Sequence, residues 1–202
     1  MAEYQSVIGL EVHAELKTAS KMYCSCENKF GAPPNTLVCP VCMGYPGALP
    51  RLNKKAVELA VKAGIAMNCT IQQNSYQDRK NYFYPDLPKS YQISQSEKPL
   101  CVGGYLDILV NGEHKRIRIN RIHIEEDAGK LIHDAENGIT LADYNRCGVP
   151  LIEIVTEPDI SSSEEAHAFL ETVRSTLKAL DISDCKMQEG SVRCDVNVSL
   201  KE

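Results

Sequence analysis

The sequence predicts an α+β fold, mainly antiparallel sheet with two helices laid against it. Three observations point there. Strands at both ends alternate apolar and polar residues. The centre carries an Asn-Gly hairpin signal. Two stretches repeat apolar residues at helical spacing without alternating regularly with the strands.

The first strand covers residues 4–17. It sends Ile8, Leu10, Val12, Ala14 and Leu16 to one face and Glu11, His13 and Glu15 to the other. Same-face neighbours stand ~7 Å apart, two strand rises. Residues 18–50 carry four cysteines among prolines and glycines and read as an inserted zinc-ribbon-like module. Asn53 caps a helix over 54–67, with Ala56, Val57, Leu59, Ala60, Ala63 and Met67 facing inward. Residues 70–99 are irregular or short-stranded. Tyr105–Val110 then pairs with a return strand over 113–124 across Asn111-Gly112, because both turn positions tolerate positive φ. In the return strand Ile117 and Ile119 share one parity and Ile122 and Ile124 the other, which predicts a bulge. Residues 149–156 form a strand, apolar except for Glu153, whose carboxylate must be paired, protonated or metal-bound if buried. Ser162-Ser163-Glu164-Glu165 opens the second helix as a capping box, with Ala166, Phe169, Leu170, Val173, Leu177 and Leu180 on its inner stripe. The last strand, from Val192, places Arg193, Asp195, Asn197 and Ser199 on its polar face.

Composition narrows the class. The 202 residues are 43% apolar and 24% charged, as in a soluble globular protein. A formal charge of −5 argues against nucleic-acid binding by bulk electrostatics, but is compatible with a local basic patch or a basic partner. The opening residues resemble no signal peptide, and no apolar run reaches the ~20 residues of a membrane span. A cytoplasmic protein is expected. Nine cysteines without a secretion signal argue against disulfides. Cys69, Cys101, Cys147, Cys185 and Cys194 read as packing residues.

Two sites stand out. Cys24-x-Cys26 and Cys39-x2-Cys42 flank a loop and can close a four-sulfur cage for structural Zn²⁺. Four thiolates leave no open position, which excludes a zinc hydrolase. Elsewhere, hard acids on a sheet suit a Mg²⁺-bound polyphosphate. No Walker-type or dinucleotide glycine motif is present. A bound nucleotide would therefore be held by carboxylates and metal. Residues 78–92 interleave Arg79, Lys80 and Lys89 with Tyr82, Tyr84 and Tyr91, which suits phosphate contact plus stacking. His13 shares its face with Glu11 and Glu15, and His123 precedes an acidic run as a candidate supporting residue. The remaining histidines look superficial. The alternative is a non-catalytic, zinc-bearing binding module.

Six segments carry a family resemblance. They are Ile8–His13, Cys39–Gly47, Asn81–Lys89, His123–Lys130, Asp143–Arg146 and Arg193–Val198. Together, and in this order, they resemble the B-type component of the tRNA-dependent amidotransferase family, which converts Asp-tRNA(Asn) or Glu-tRNA(Gln) to the amide form. The resemblance implies a glutamine-synthetase-like cradle, of which residues 1–202 are the N-terminal part. ATP would phosphorylate the side-chain carboxylate of the misacylated amino acid. Ammonia released from glutamine by the A-type component would then displace the phosphate, in a complex that also holds a C-type component. On this footing Glu11, Glu125 and Glu153 are expected to bind Mg²⁺, with His13 beside them as a ligand or a phosphate-orienting group. Lys80, Lys89 and Arg193 would neutralise phosphate, and Asp195 and Asn197 come next. Glu126 and Asp127 rival Glu125. Family members continue past the equivalent of Glu202 into more cradle strands and a helical domain that help hold tRNA.

Overall fold

The computed structural model describes residues 4–202. The alternating pattern at the N-terminus becomes β1 (Gln5–Glu15), which stops two residues short of expectation where Leu16 and Lys17 turn to bond with Pro150 and Ile182. Asn53 caps α1 (Lys54–Ala66) by accepting from Lys55 and Ala56. Asn68, at a φ of 58°, takes the left-handed position that ends the helix. Short strands follow, β2 (Thr70–Ile71), β3 (Asp78–Asn81), β4 (Tyr91–Ser94) and β5 (Cys101–Val102). The central hairpin pairs β6 (Tyr105–Val110) with β7 (Glu113–Glu126), and its turn has φ of 52° at Asn111 and 84° at Gly112. Positive φ at both positions matches the twist of the flanking strands.

A second hairpin, β8 (Lys130–Asp134) with β9 (Ile139–Asp143), stands apart from the main sheet. The chain then forms β10 (Pro150–Thr156), α2 (Ser163–Ala179) and β11 (Val192–Lys201). The main sheet has the order β11-β1-β10-β7-β5-β2, with β6 also on β7, and every pairing is antiparallel. Both helices lie on one face of it. There Leu10, Val12, Ile122, Ile152 and Ile154 meet Ala60 and Ala63 of α1 and Phe169 and Val173 of α2 in one core. Burying each large apolar side chain contributes about 1.5–3 kcal/mol.

The phase slip in β7 is a bulge. Val155 opposes Arg121 and Thr156 opposes Ile119, so Asn120 is extra. The insertion keeps Ile117, Ile119, Ile122 and Ile124 all buried despite their mixed parity. Two expectations need correction. The capping box at α2 is only half formed. Ser162 Oγ accepts from Glu165 N, but the Glu165 carboxylate reaches back to Ser161 and Lys115 instead of Ser162. Residues 18–50 are turns with one isolated bridge, Ser20 to Glu27, and contain no ribbon. Pro33, Pro34, Pro40, Pro46 and Pro50 remove donors that a ladder would need.

Candidate functional site

The sheet face away from the helices is polar because register stacks polar residues side by side. His13 opposes Arg193 on β11 and Glu153 on β10, and Glu153 opposes His123 on β7. A single row across four strands thus reads Arg193, His13, Glu153, His123. Adjacent strands lie ~4.8 Å apart, so each side chain reaches its neighbours. Glu125 joins from the next position along β7. His13 Nε2 stands 3.4 Å from both Glu125 Oε1 and Glu153 Oε2. His123 Nε2 is 3.2 Å from Glu153 Oε2 and 3.7 Å from Glu125 Oε2. Ser94 Oγ, on the β3–β4 hairpin, donates to Glu125 Oε2 at 3.2 Å.

One donor atom each from His13, Glu125 and Glu153 fall within 4.8 Å of one another. Two carboxylates and an imidazole at that spacing fit a divalent cation, with the oxygens suiting Mg²⁺ or Mn²⁺. Burial disfavours charge on His13, but its bonds to Glu125 and Glu153 prevail and push it up to about 10. Burial also opposes charge on the two acids, yet the histidines hold Glu125 down at about 2 and Glu153 low as well.

A cavity of about 430 Å³ opens beside the knot, lined by His13, Lys80, Tyr82, Glu125, Asp127, Arg193 and Asp195 among others. Arg193 donates to Asp127 Oδ2 at 2.8 Å, and Arg146 approaches the same oxygen at 3.5 Å. Arg146 also donates to the carbonyls of Ala128 and Gly129. Asp127 therefore fixes Arg193 on the rim. The sequence raises Asp127 only as a rival ligand to Glu125 and gives Arg146 no role. Arg146 sits in a turn with no periodic pattern, and its place in the Asp143–Arg146 segment is the one signal that marks it.

The other expected site residues divide. Glu11 shares the His13 face, but its cross-strand neighbours are Val155 and Asp195, and its carboxylate accepts from Asn197 Nδ2 at 3.0 Å. It stands one repeat outside the knot. Asp195 Oδ2 lies 3.8 Å from His13 Nδ1 and is largely exposed. Alternation turns Glu126 to the opposite side from Glu125, where Lys89 pairs with it in a buried contact and Ile93 N donates at 3.0 Å. Lys80 faces the cavity, whereas the Lys89 ammonium is held by Glu126. This arrangement separates the three candidates at the acidic run. Glu125 meets the knot, Glu126 meets Lys89, and Asp127 meets the arginines.

The four cysteines of the loop module converge. One Sγ each from Cys24, Cys26, Cys39 and Cys42 lie within 4.8 Å of one another. Cys39 and Cys42 Sγ are 3.9 Å apart, close to the roughly 3.8 Å edge of a tetrahedron with Zn–S bonds of ~2.3 Å. Cys39 N donates to Cys42 Sγ at 3.2 Å. Hydrogen bonding from Cys24 is the main reason the Cys42 thiol is held down at about 5. The donor set fits a structural zinc. The five scattered cysteines are free and buried or half-buried, consistent with packing.

The model for the GatB/GatE catalytic domain matches residues 6–202. The chain is 65% identical over 199 residues to the B component of the aspartyl/glutamyl-tRNA(Asn/Gln) amidotransferase of Caldicellulosiruptor bescii, covering 98% of this chain and 42% of that protein. It is 62% identical over 200 residues to the protein of the same name from Clostridium tetani, with the same coverage. The chain thus spans 42% of the length of these curated relatives. No helix among the described residues is long and apolar enough to cross a membrane. The chain belongs to the GatB/GatE catalytic-domain family.

Proposed function

We propose that this chain is the ATP-using part of a tRNA-dependent amidotransferase, the N-terminal portion of a cradle that activates the side-chain carboxylate of misacylated Asp-tRNA(Asn) or Glu-tRNA(Gln). The observation that carries this reading is the convergence of His13, Glu125 and Glu153 beside a cavity that Lys80 and Arg193 line. Phosphoryl transfer needs positioning and charge neutralisation more than covalent help from the protein. His13, Glu125 and Glu153 would hold Mg²⁺, with Asp195 and Glu11 as further carboxylates on the same face. Bound there, the ion would offset the charge of a triphosphate. Arg193, braced by Asp127, and Lys80 would stabilise the transferring phosphoryl group. Asp195 and Asn197 extend the polar rim on β11. Ammonia from the A-type glutaminase, in a cytoplasmic complex with the A-type and C-type components, would complete the amidation.

Binding of Mg·ATP tests this directly. Glu153→Ala and Glu125→Ala should abolish it while the circular dichroism of the sheet persists. Wild-type affinity in both variants would remove the ligand set and the kinase-like reading with it. Cys24, Cys26, Cys39 and Cys42 would hold a structural Zn²⁺ that organises residues 18–50. The expected content is one zinc per chain, lost in Cys39→Ser.

A further inference from the structure

Lys21 is among the largest fully buried side chains of the described residues, with 0% exposure. A buried ammonium needs a partner of opposite charge or a full set of acceptors. Lys21 Nζ donates to the Leu37 carbonyl at 2.7 Å and points at Cys42 Sγ, 3.8 Å away. No carboxylate among the described residues forms an ion pair with it. The nearby buried acid, Glu126, is engaged by Lys89. The stem of Lys21 packs on the turn at Gly148, whose φ of +84° favours glycine and which passes close to both Lys21 and Cys42. Its backbone is pinned as well. Lys21 N donates to the Cys26 carbonyl, and its own carbonyl accepts from the α1 cap residue Asn53. The ammonium is therefore held in place and aimed at the sulfur cage.

We propose that Lys21 is the built-in counter-cation of the four-thiolate metal centre, resting on the zinc reading above. A divalent ion surrounded by four thiolates is a dianion. On the side of the buried Cys42 that charge is costly, and Lys21 halves it at hydrogen-bonding distance from the Cys42 sulfur. The dependence is mutual. Without metal, Lys21 keeps only its contacts to the Leu37 carbonyl and the Cys42 sulfur. The cage and the lysine are each more favourable in the presence of the other.

This predicts unequal effects with and without zinc in one variant, which lost packing alone would not produce. Lys21→Met keeps most of the volume and removes the charge. Lys21→Gln also removes the charge but can still donate to the Leu37 carbonyl, and it covers the case in which the methionine variant does not fold. Zinc affinity, measured by competition with a chromophoric chelator, should fall about 10–100-fold in either variant, the usual range for an outer-sphere partner. The thermal midpoint of the zinc-loaded variant should drop further below its wild-type counterpart than that of the chelator-stripped variant does. Unchanged zinc affinity, or equal loss of midpoint with and without zinc, would overturn the proposal and leave Lys21 a packing residue. Wild-type zinc content, read in the same experiment, tests the cage separately. Absence of zinc there removes the metal centre itself, whereas zinc-bearing wild type with indifferent Lys21 variants removes only the role of the lysine.

Discussion

The two ligand clusters of this molecule are built in opposite ways. The thiolate cage is local. Its four sulfurs come from within nineteen consecutive positions, in a segment with no ladder of its own. The acid–histidine knot is distributed. His13, His123, Glu125 and Glu153 come from three strands, and only the register of β1, β10 and β7 brings them together. On the reading proposed above, the cage would need a metal to hold its loop, whereas the knot is held by a sheet that folds on hydrophobic burial. Removing the ligand should therefore disorder the first site and leave the second in place.

The largest expected effect follows from that contrast. Stripping zinc, or Cys39→Ser, should take metal content from one per chain to none. Amide exchange should then lose its protection across residues 18–50 while β1, β7 and β10 keep theirs. Simultaneous loss of sheet protection would mean that the loop is a structural keystone and the contrast is false. Next, Glu153→Gln should weaken Mn²⁺ binding, followed by electron paramagnetic resonance, by at least the roughly 10–100-fold that even an outer-sphere partner costs. Glu11→Gln should do distinctly less, because Glu11 is bonded to Asn197 outside the knot. The reverse order would show that the site rearranges around its ion.

Asn53→Ala should cost about 1 kcal/mol in chemical denaturation through loss of the α1 cap. Because Asn53 Nδ2 also donates to Ser20 and Lys21 at 3.1 and 3.2 Å, the same variant should hasten zinc release. Stability loss without faster release would mean that the cap and the cage are independent. The smallest effect on metal binding is expected at the hairpin far from both clusters. Gly112→Ala meets no neighbour within 4 Å, so it should cost only the about 1–2 kcal/mol of left-handed strain, with both metal affinities unchanged.

Much of this was legible one segment at a time. Strand alternation placed Glu11, His13 and Glu15 on one face, the Asn-Gly turn marked the central hairpin, and the parity slip announced the bulge at Asn120. Cysteine spacing marked the cage. Each of these is a local signal, set by backbone geometry within a few residues. The three-way choice at Glu125, Glu126 and Asp127 could not be made from local pattern, because facing depends on how the bulge is absorbed against β10. The brace from Asp127 to Arg193 and Arg146 was hidden for a related reason, since it joins residues 19 and 66 positions away in sequence.

Residue type and short-range spacing dictated which elements form and which side chains share a face. They also dictated that four sulfurs could meet. Pairing and packing between distant segments decided that His13 lies between Arg193 and Glu153, that Lys89 turns to Glu126 and away from the cavity, and that Lys21 is sealed against the sulfur cage. The reason is physical. A side chain's charge and reach are written in its chemistry, but its neighbours are set by hydrogen-bond pairing and packing between segments a hundred residues apart.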